Sequence, residues 1–123
     1  MILSKRLEDA EFIMSKDELT YAAVIEDFKN ASRIHILTYN ISKDKNILLN
    51  ALRDCEEDTE ICIVSNIPGR WDSYFGKTYA DKAKRNISLY KSKLSPQNIA
   101  EKAEIYFCFS NHAKIIMTDN IAY

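Results

Sequence analysis

Arg33-Ile-His-Ile-Leu-Thr-Tyr39 is a short, β-branched, apolar run set between Asn30-Ala-Ser32 and Asn40-Ile-Ser-Lys-Asp44. Polar brackets around such a run predict a buried strand. From about Asp44 onward, Ile47, Leu48, Ala51, Leu52 and Cys55 recur at helical spacing, and Glu60-Ile-Cys-Ile-Val-Ser65 is a second largely apolar strand. Strand, helix and strand at this length form a parallel pair joined by a right-handed crossover, which places the chain in the α/β class.

Working outward, Ala10 to Met14 reads as a short strand, and Ser15 followed by Glu18 has the capping-box pattern that opens a helix. Tyr21, Val24, Ile25 and Phe28 share one face of that helix. Downstream, Asn66-Ile-Pro-Gly-Arg70 is the clearest turn signal, and a long amphipathic stretch runs roughly from Trp71 to Leu94. Its apolar side is Tyr79, Ala83, Ile87, Tyr90 and Leu94. Ser95-Pro96 marks a helix stop and a new start, giving a short helix over Gln97 to Ala103. Glu104 to Phe109 and Ala113 to Thr118 follow as strands. Asp119-Asn120 suits a tight hairpin turn, so Ile121-Ala-Tyr123 returns antiparallel to Ile116-Met117-Thr118.

Length and composition narrow the function. The 123 residues, 46% hydrophobic, make one domain with a single core and leave no room for two catalytic halves. With 17 basic and 18 acidic residues the net charge is -1, so no global attraction draws the chain to nucleic acid or anionic membrane. Any basic patch is local. Cys55, Cys62 and Cys108 are odd in number and set among apolar residues, which predicts reduced thiols, no zinc site and a cytoplasmic location. No signal-peptide layout and no apolar run long enough to span a bilayer occurs, so no transmembrane segment is expected.

The segment that carries chemistry is Asn111-His-Ala-Lys-Ile-Ile-Met-Thr-Asp119. On a strand, residues two apart point the same way, so His112 and Lys114 would present an imidazole and an ammonium side by side. Taken singly, His112 reads as a surface or hydrogen-bonded histidine at a strand start, Lys114 as an exposed strand lysine and Asp119 as ordinary turn chemistry. The spaced string changes that reading. This His-x-Lys-x-x-x-x-Asp pattern, followed through an Ile-rich strand pair, resembles the signature of the phospholipase D superfamily of phosphodiesterases. The order of elements over most of the chain is similar to one half of such an enzyme.

The resemblance implies a mixed β-sheet flanked by helices, with residues 1–123 forming the N-terminal part of a single phospholipase D-like domain and the motif at 112–119. It implies His112 as the nucleophile that forms a phosphohistidine, Lys114 as the cation on the phosphate oxygens, and Asp119 as the residue that fixes the motif's local structure. Cofactors and metal are not required by that chemistry. In the family a Gly-Ser and an Asn follow the Asp, and these would lie beyond Tyr123, so the strand pair carrying the motif is expected to be truncated and this fragment weak or inactive. A second motif is needed too, from a missing half or a homodimer partner. His35 lacks a lysine two residues on; it sits between Ile34 and Ile36 and reads as a core histidine hydrogen-bonded to a neighbour.

Arg70 to Lys93 holds seven basic residues against two acidic ones. A solvated helix face explains this, and so does a phosphate-tracking surface in which Lys82 and Arg85 bind substrate. The second explanation makes the enzyme a nuclease-like hydrolase in preference to a phospholipase. A lipid phosphatidyltransferase and a non-catalytic binding or regulatory module that retains the fold are the alternatives.

Overall fold

The computed structural model describes residues 2–15, 21–40, 47–66, 79–94, 98–108 and 111–123. In chain order these form β1 (Ile2–Leu7), β2 (Ala10–Ser15), α1 (Ala22–Phe28), β3 (Arg33–Thr38), α2 (Ile47–Arg53), β4 (Glu60–Asn66), α3 (Tyr79–Leu94), α4 (Ile99–Lys102), β5 (Glu104–Cys108) and β6 (Ile115–Thr118). β1 and β2 pair antiparallel as a hairpin, from Ile2 opposite Ser15 to Leu7 opposite Ala10. The main sheet has four strands in the order β5-β4-β3-β6. Its first three are mutually parallel, and β6 runs antiparallel to β3, with Leu37 opposite Ile115 and Ile34 opposite Thr118. The fold is therefore α/β with a mixed sheet and flanking helices.

Strand alternation decides which side the helices cover. Ile34 and Ile36 on β3 and Ile61, Ile63 and Ser65 on β4 are buried, whereas Arg33 and Glu60, at the start of each strand and on the other face, are exposed. The buried set makes one core with Val24 and Phe28 of α1, Leu49 and Leu52 of α2, Tyr90 and Leu94 of α3 and Ile99 of α4. Each fully buried aliphatic or aromatic side chain here stabilises by roughly 1.5–3 kcal/mol. Polar groups drawn into this layer are paired: the fully buried Ser65 hydroxyl meets the Tyr90 hydroxyl at 3.2 Å. The Lys102 ammonium donates to the carbonyls of Arg53 (3.2 Å) and Cys55, satisfying the open end of α2.

The parallel strand-helix-strand unit lies where its hydrophobic pattern predicts it. Other expectations are corrected. Ser15 closes β2 opposite Ile2, and among the described residues the next helix, α1, begins at Ala22 with Tyr21 as its N-cap residue and no side-chain cap bond. Pairing with β1, a strand that local pattern does not single out, outweighs a capping signal worth about 1 kcal/mol. The short helix over 97–103 contracts to α4, entered through Asn98 at a left-handed φ of 54°. His35 is no core residue: its side chain is 39% exposed, and Nε2 lies 3.4 Å from Glu60 Oε1. Its strand position turns it away from the helix layer, so it keeps the hydrogen-bonded neighbour and loses the burial. The Pro68-Gly69 turn, Trp71 to Thr78, the Ser95-Pro96 break, Glu18 and Asp44 lie outside the described residues. No described helix is long and apolar enough to cross a membrane.

Candidate active site

Three parallel strands end together, and the chain entering β6 crosses those ends. Asn111 holds the crossing. Its side-chain Nδ2 donates to the carbonyls of Thr38 (3.1 Å) and Val64 (3.4 Å), its Oδ1 accepts from Ala113 N (2.9 Å), and its own N–H donates to Asn66 Oδ1 (3.3 Å). An amide has two donor hydrogens and an acceptor, which is what spanning two strand-end carbonyls and one turn N–H requires. His112 and Lys114 sit on the segment held this way, and both side chains are exposed.

This corrects the placement of the motif on a strand. Ladder pairing starts at Ile115, and residues 111–114 have no regular structure. The physical reason is Ala113, whose N–H is taken by the Asn111 side chain instead of a neighbouring strand. His112 and Lys114 thus share a short tethered loop at the carboxyl ends of β3 and β4, the place where open α/β sheets build ligand sites. The imidazole of His112 packs against the ring of Tyr39, the residue after β3, with centroids 4.8 Å apart and planes tilted by 36°.

Asp119 is elsewhere. At about 3.3 Å per strand residue it lies roughly 16 Å along the chain from Lys114. Its carboxylate accepts from Ser32 N (3.1 Å), Ser32 Oγ (2.9 Å) and Arg33 N (3.2 Å), clamping the hairpin turn to the start of β3. The Ser32 hydroxyl, and then the backbone N–H groups, hold this carboxyl below its usual range. Since the folded value is depressed, the stabilisation is present above the ordinary carboxylate value of about 4 and is lost as pH falls through the folded one. Asp119→Asn is expected to lower the melting temperature at neutral pH, and the gap to the wild type should close in acid. Thermal melts of both chains across the acid range check this, and a gap independent of pH refutes it.

The same turn is anchored to α1. Asp27 accepts from Thr118 Oγ1 (2.7 Å), Asn120 Nδ2 (3.0 Å) and the Tyr123 hydroxyl (3.1 Å). Burial first, and the bond to Asp27 second, push that phenol up to about 12. The return expected at 121–123 runs antiparallel as an isolated bridge, Met117 opposite Ala122, and not as a full strand: Tyr123 N donates to Ile116 O at 2.7 Å, and Thr118 N to Ile121 O at 2.8 Å. Asp119-Asn120 makes the two-residue turn between them.

Lys82 and Arg85 are exposed on α3, three residues apart and so on one flank of the helix. Neither bonds to His112 or Lys114. Among the described residues, no group of three or more His, Cys, Asp or Glu side chains could hold a metal ion. All three cysteines are free, and burial pushes the Cys55 and Cys62 thiols up, away from reactive thiolate character.

Asn111, Asn66 and Tyr39 are the site residues that the sequence reading did not single out. The available signal was their position: each ends or follows a predicted strand on the side where α/β folds bind ligands.

No protein-family model and no curated protein matches this sequence. Among solved structures, the chain is similar to part of the crystal structure of polyphosphate kinase from Porphyromonas gingivalis, at 14% identity and a TM-score of 0.45. The match covers 80% of this chain and 15% of that one.

Proposed function

We propose that His112 and Lys114 form one half of a phospholipase D-like phosphodiesterase site. The observation that carries the reading is their joint exposure on the loop that Asn111 ties across the ends of β3 and β4. A neutral imidazole nitrogen of His112 attacks phosphorus: a P–N bond forms, the P–O bond to the leaving group breaks, and the leaving oxygen takes a proton from an acid. Water then adds to phosphorus, giving its proton to the conjugate base of that acid, the P–N bond breaks, and the product phosphate leaves. Lys114 neutralises the non-bridging oxygens as charge grows on them.

The chain's other histidine, His35, is engaged by Glu60 on the far side of the sheet, so the acid is assigned to a second copy of the motif, most simply from a dimer partner. The exposed cations Lys82, Lys84, Arg85 and Lys91 of α3 favour nucleic acid over lipid as the phosphodiester.

The test is a metal-free incubation, with chelator present, of the chain with labelled single-stranded DNA, RNA and phospholipid vesicles, beside Lys114→Ala. Weak cleavage of nucleic acid is expected of this chain, with Lys114→Ala lower by about 10²–10³-fold, the usual cost of removing one oxyanion-stabilising donor. Cleavage by Lys114→Ala at the wild-type rate sinks the assignment. Tight binding of nucleic acid with no cleavage points to a binding module instead.

A further inference from the structure

A nucleophile on a tethered loop has a fixed backbone but a side chain that can still turn about two torsions. Among the described residues, nothing hydrogen-bonds to the His112 imidazole, so the Tyr39 ring is what restrains it there. The two rings are brought together by one residue. The Thr38 carbonyl accepts the Asn111 side chain at 3.1 Å, and the Thr38 hydroxyl donates to Asn40 O at 2.8 Å, closing the backbone around Tyr39. Tyr39 and His112 therefore stand on two short segments tied to the same strand end. Their centroid separation of 4.8 Å is within the range of attractive aromatic pairs, and Tyr39, 40% exposed, keeps a free surface beside the imidazole.

We propose that Tyr39 is a positioning residue for His112: its ring limits the imidazole to orientations that bring one ring nitrogen onto the phosphorus of a substrate lying across the strand ends. This rests on the reading of His112 as the nucleophile. Tyr39 acts through the His112 imidazole, by its ring and not by its hydroxyl. The ring alone should therefore suffice, so Tyr39→Phe retains function and Tyr39→Ala does not.

Two readouts test it, one of chemistry and one of contact. With bis(p-nitrophenyl) phosphate as the probe, Tyr39→Ala is expected to slow phosphohistidine formation by roughly three- to tenfold, in kcat with KM unchanged, while Tyr39→Phe stays at the wild-type rate. In the NMR spectrum the chain's two histidines give two sets of ring signals, and His112→Ala identifies its own by their loss. The His112 signals should be displaced by the neighbouring ring in the wild type and in Tyr39→Phe, and return to solvent-exposed positions in Tyr39→Ala. Phosphohistidine formation at the wild-type rate by Tyr39→Ala overturns the positioning role alone, as does a Tyr39→Phe variant as slow as Tyr39→Ala. A wild-type chain that forms no phosphohistidine overturns the nucleophile reading, and this inference with it.

Discussion

His112→Ala is expected to abolish the phosphodiester cleavage proposed for this site, by on the order of 10⁴-fold or more, because the proposed covalent route loses its first bond when its nucleophile is removed. The fold should not register the change. The imidazole is exposed and packs beside the Tyr39 ring, so truncation leaves neither a buried cavity nor an unsatisfied buried group. Cleavage rates and thermal midpoints measured on one preparation of each chain separate the two quantities. A variant that cleaves as the wild type does removes His112 from the chemistry, and one that loses cleavage together with several degrees of melting temperature places it in the scaffold.

Phe28→Ala should have the opposite profile, costing about 3–5 kcal/mol of stability as a large buried aromatic lost from a core. Phe28 is 1% exposed and lies, with Val24, on the inner side of a seven-residue helix. A helix that short does not persist alone in water, so its packing against the sheet is what keeps it folded. The loss is large beside the 5–15 kcal/mol available to a domain of this size. It should also spread unevenly. α1 carries Asp27, the acceptor for Thr118, Asn120 and Tyr123, so the turn end of β6 loosens with the helix. The Asn111 end, tied to β3 and β4, does not depend on α1. Urea unfolding gives the magnitude, and amide exchange gives the distribution: faster exchange is expected at 118–123 than at 111–114. A cost below about 1 kcal/mol would show that the core closes over the gap.

Burial explains which elements were legible. β3, α2 and β4 carry their apolar periodicity within each segment, and the core they build is the one that periodicity describes: Ile34 and Ile36, Leu49 and Leu52, Ile61 and Ile63. The Asp119-Asn120 turn was legible for the same reason, since its chemistry is local. β1 was not, and neither was the loss of Ser15's helix-capping pattern, because both are settled by the pairing of β1 with β2, in which Ser15 stands opposite Ile2 and Leu7 opposite Ala10. His35 shows the limit of pattern from another side. An alternating strand can be read from its apolar neighbours, but the exposure of the other face is set by what the rest of the chain leaves uncovered.

The string from His112 to Asp119 divides along the same line. The sequence by itself determined the residue types, the spacing and the hairpin turn, because each is a matter of neighbours a few bonds apart. Only the tertiary structure decided where they stand relative to one another. It brings His112 and Lys114 onto one loop at the carboxyl ends of the parallel strands, through an asparagine whose four hydrogen bonds reach β3, β4 and its own loop. It sets Asp119 at the opposite end of β6, bonded to Ser32 and Arg33, as a clamp on the scaffold. And it places Tyr39, far away in sequence, against the imidazole. Those contacts join residues many tens of positions apart, and the order of residues along a chain carries no direct record of such distances.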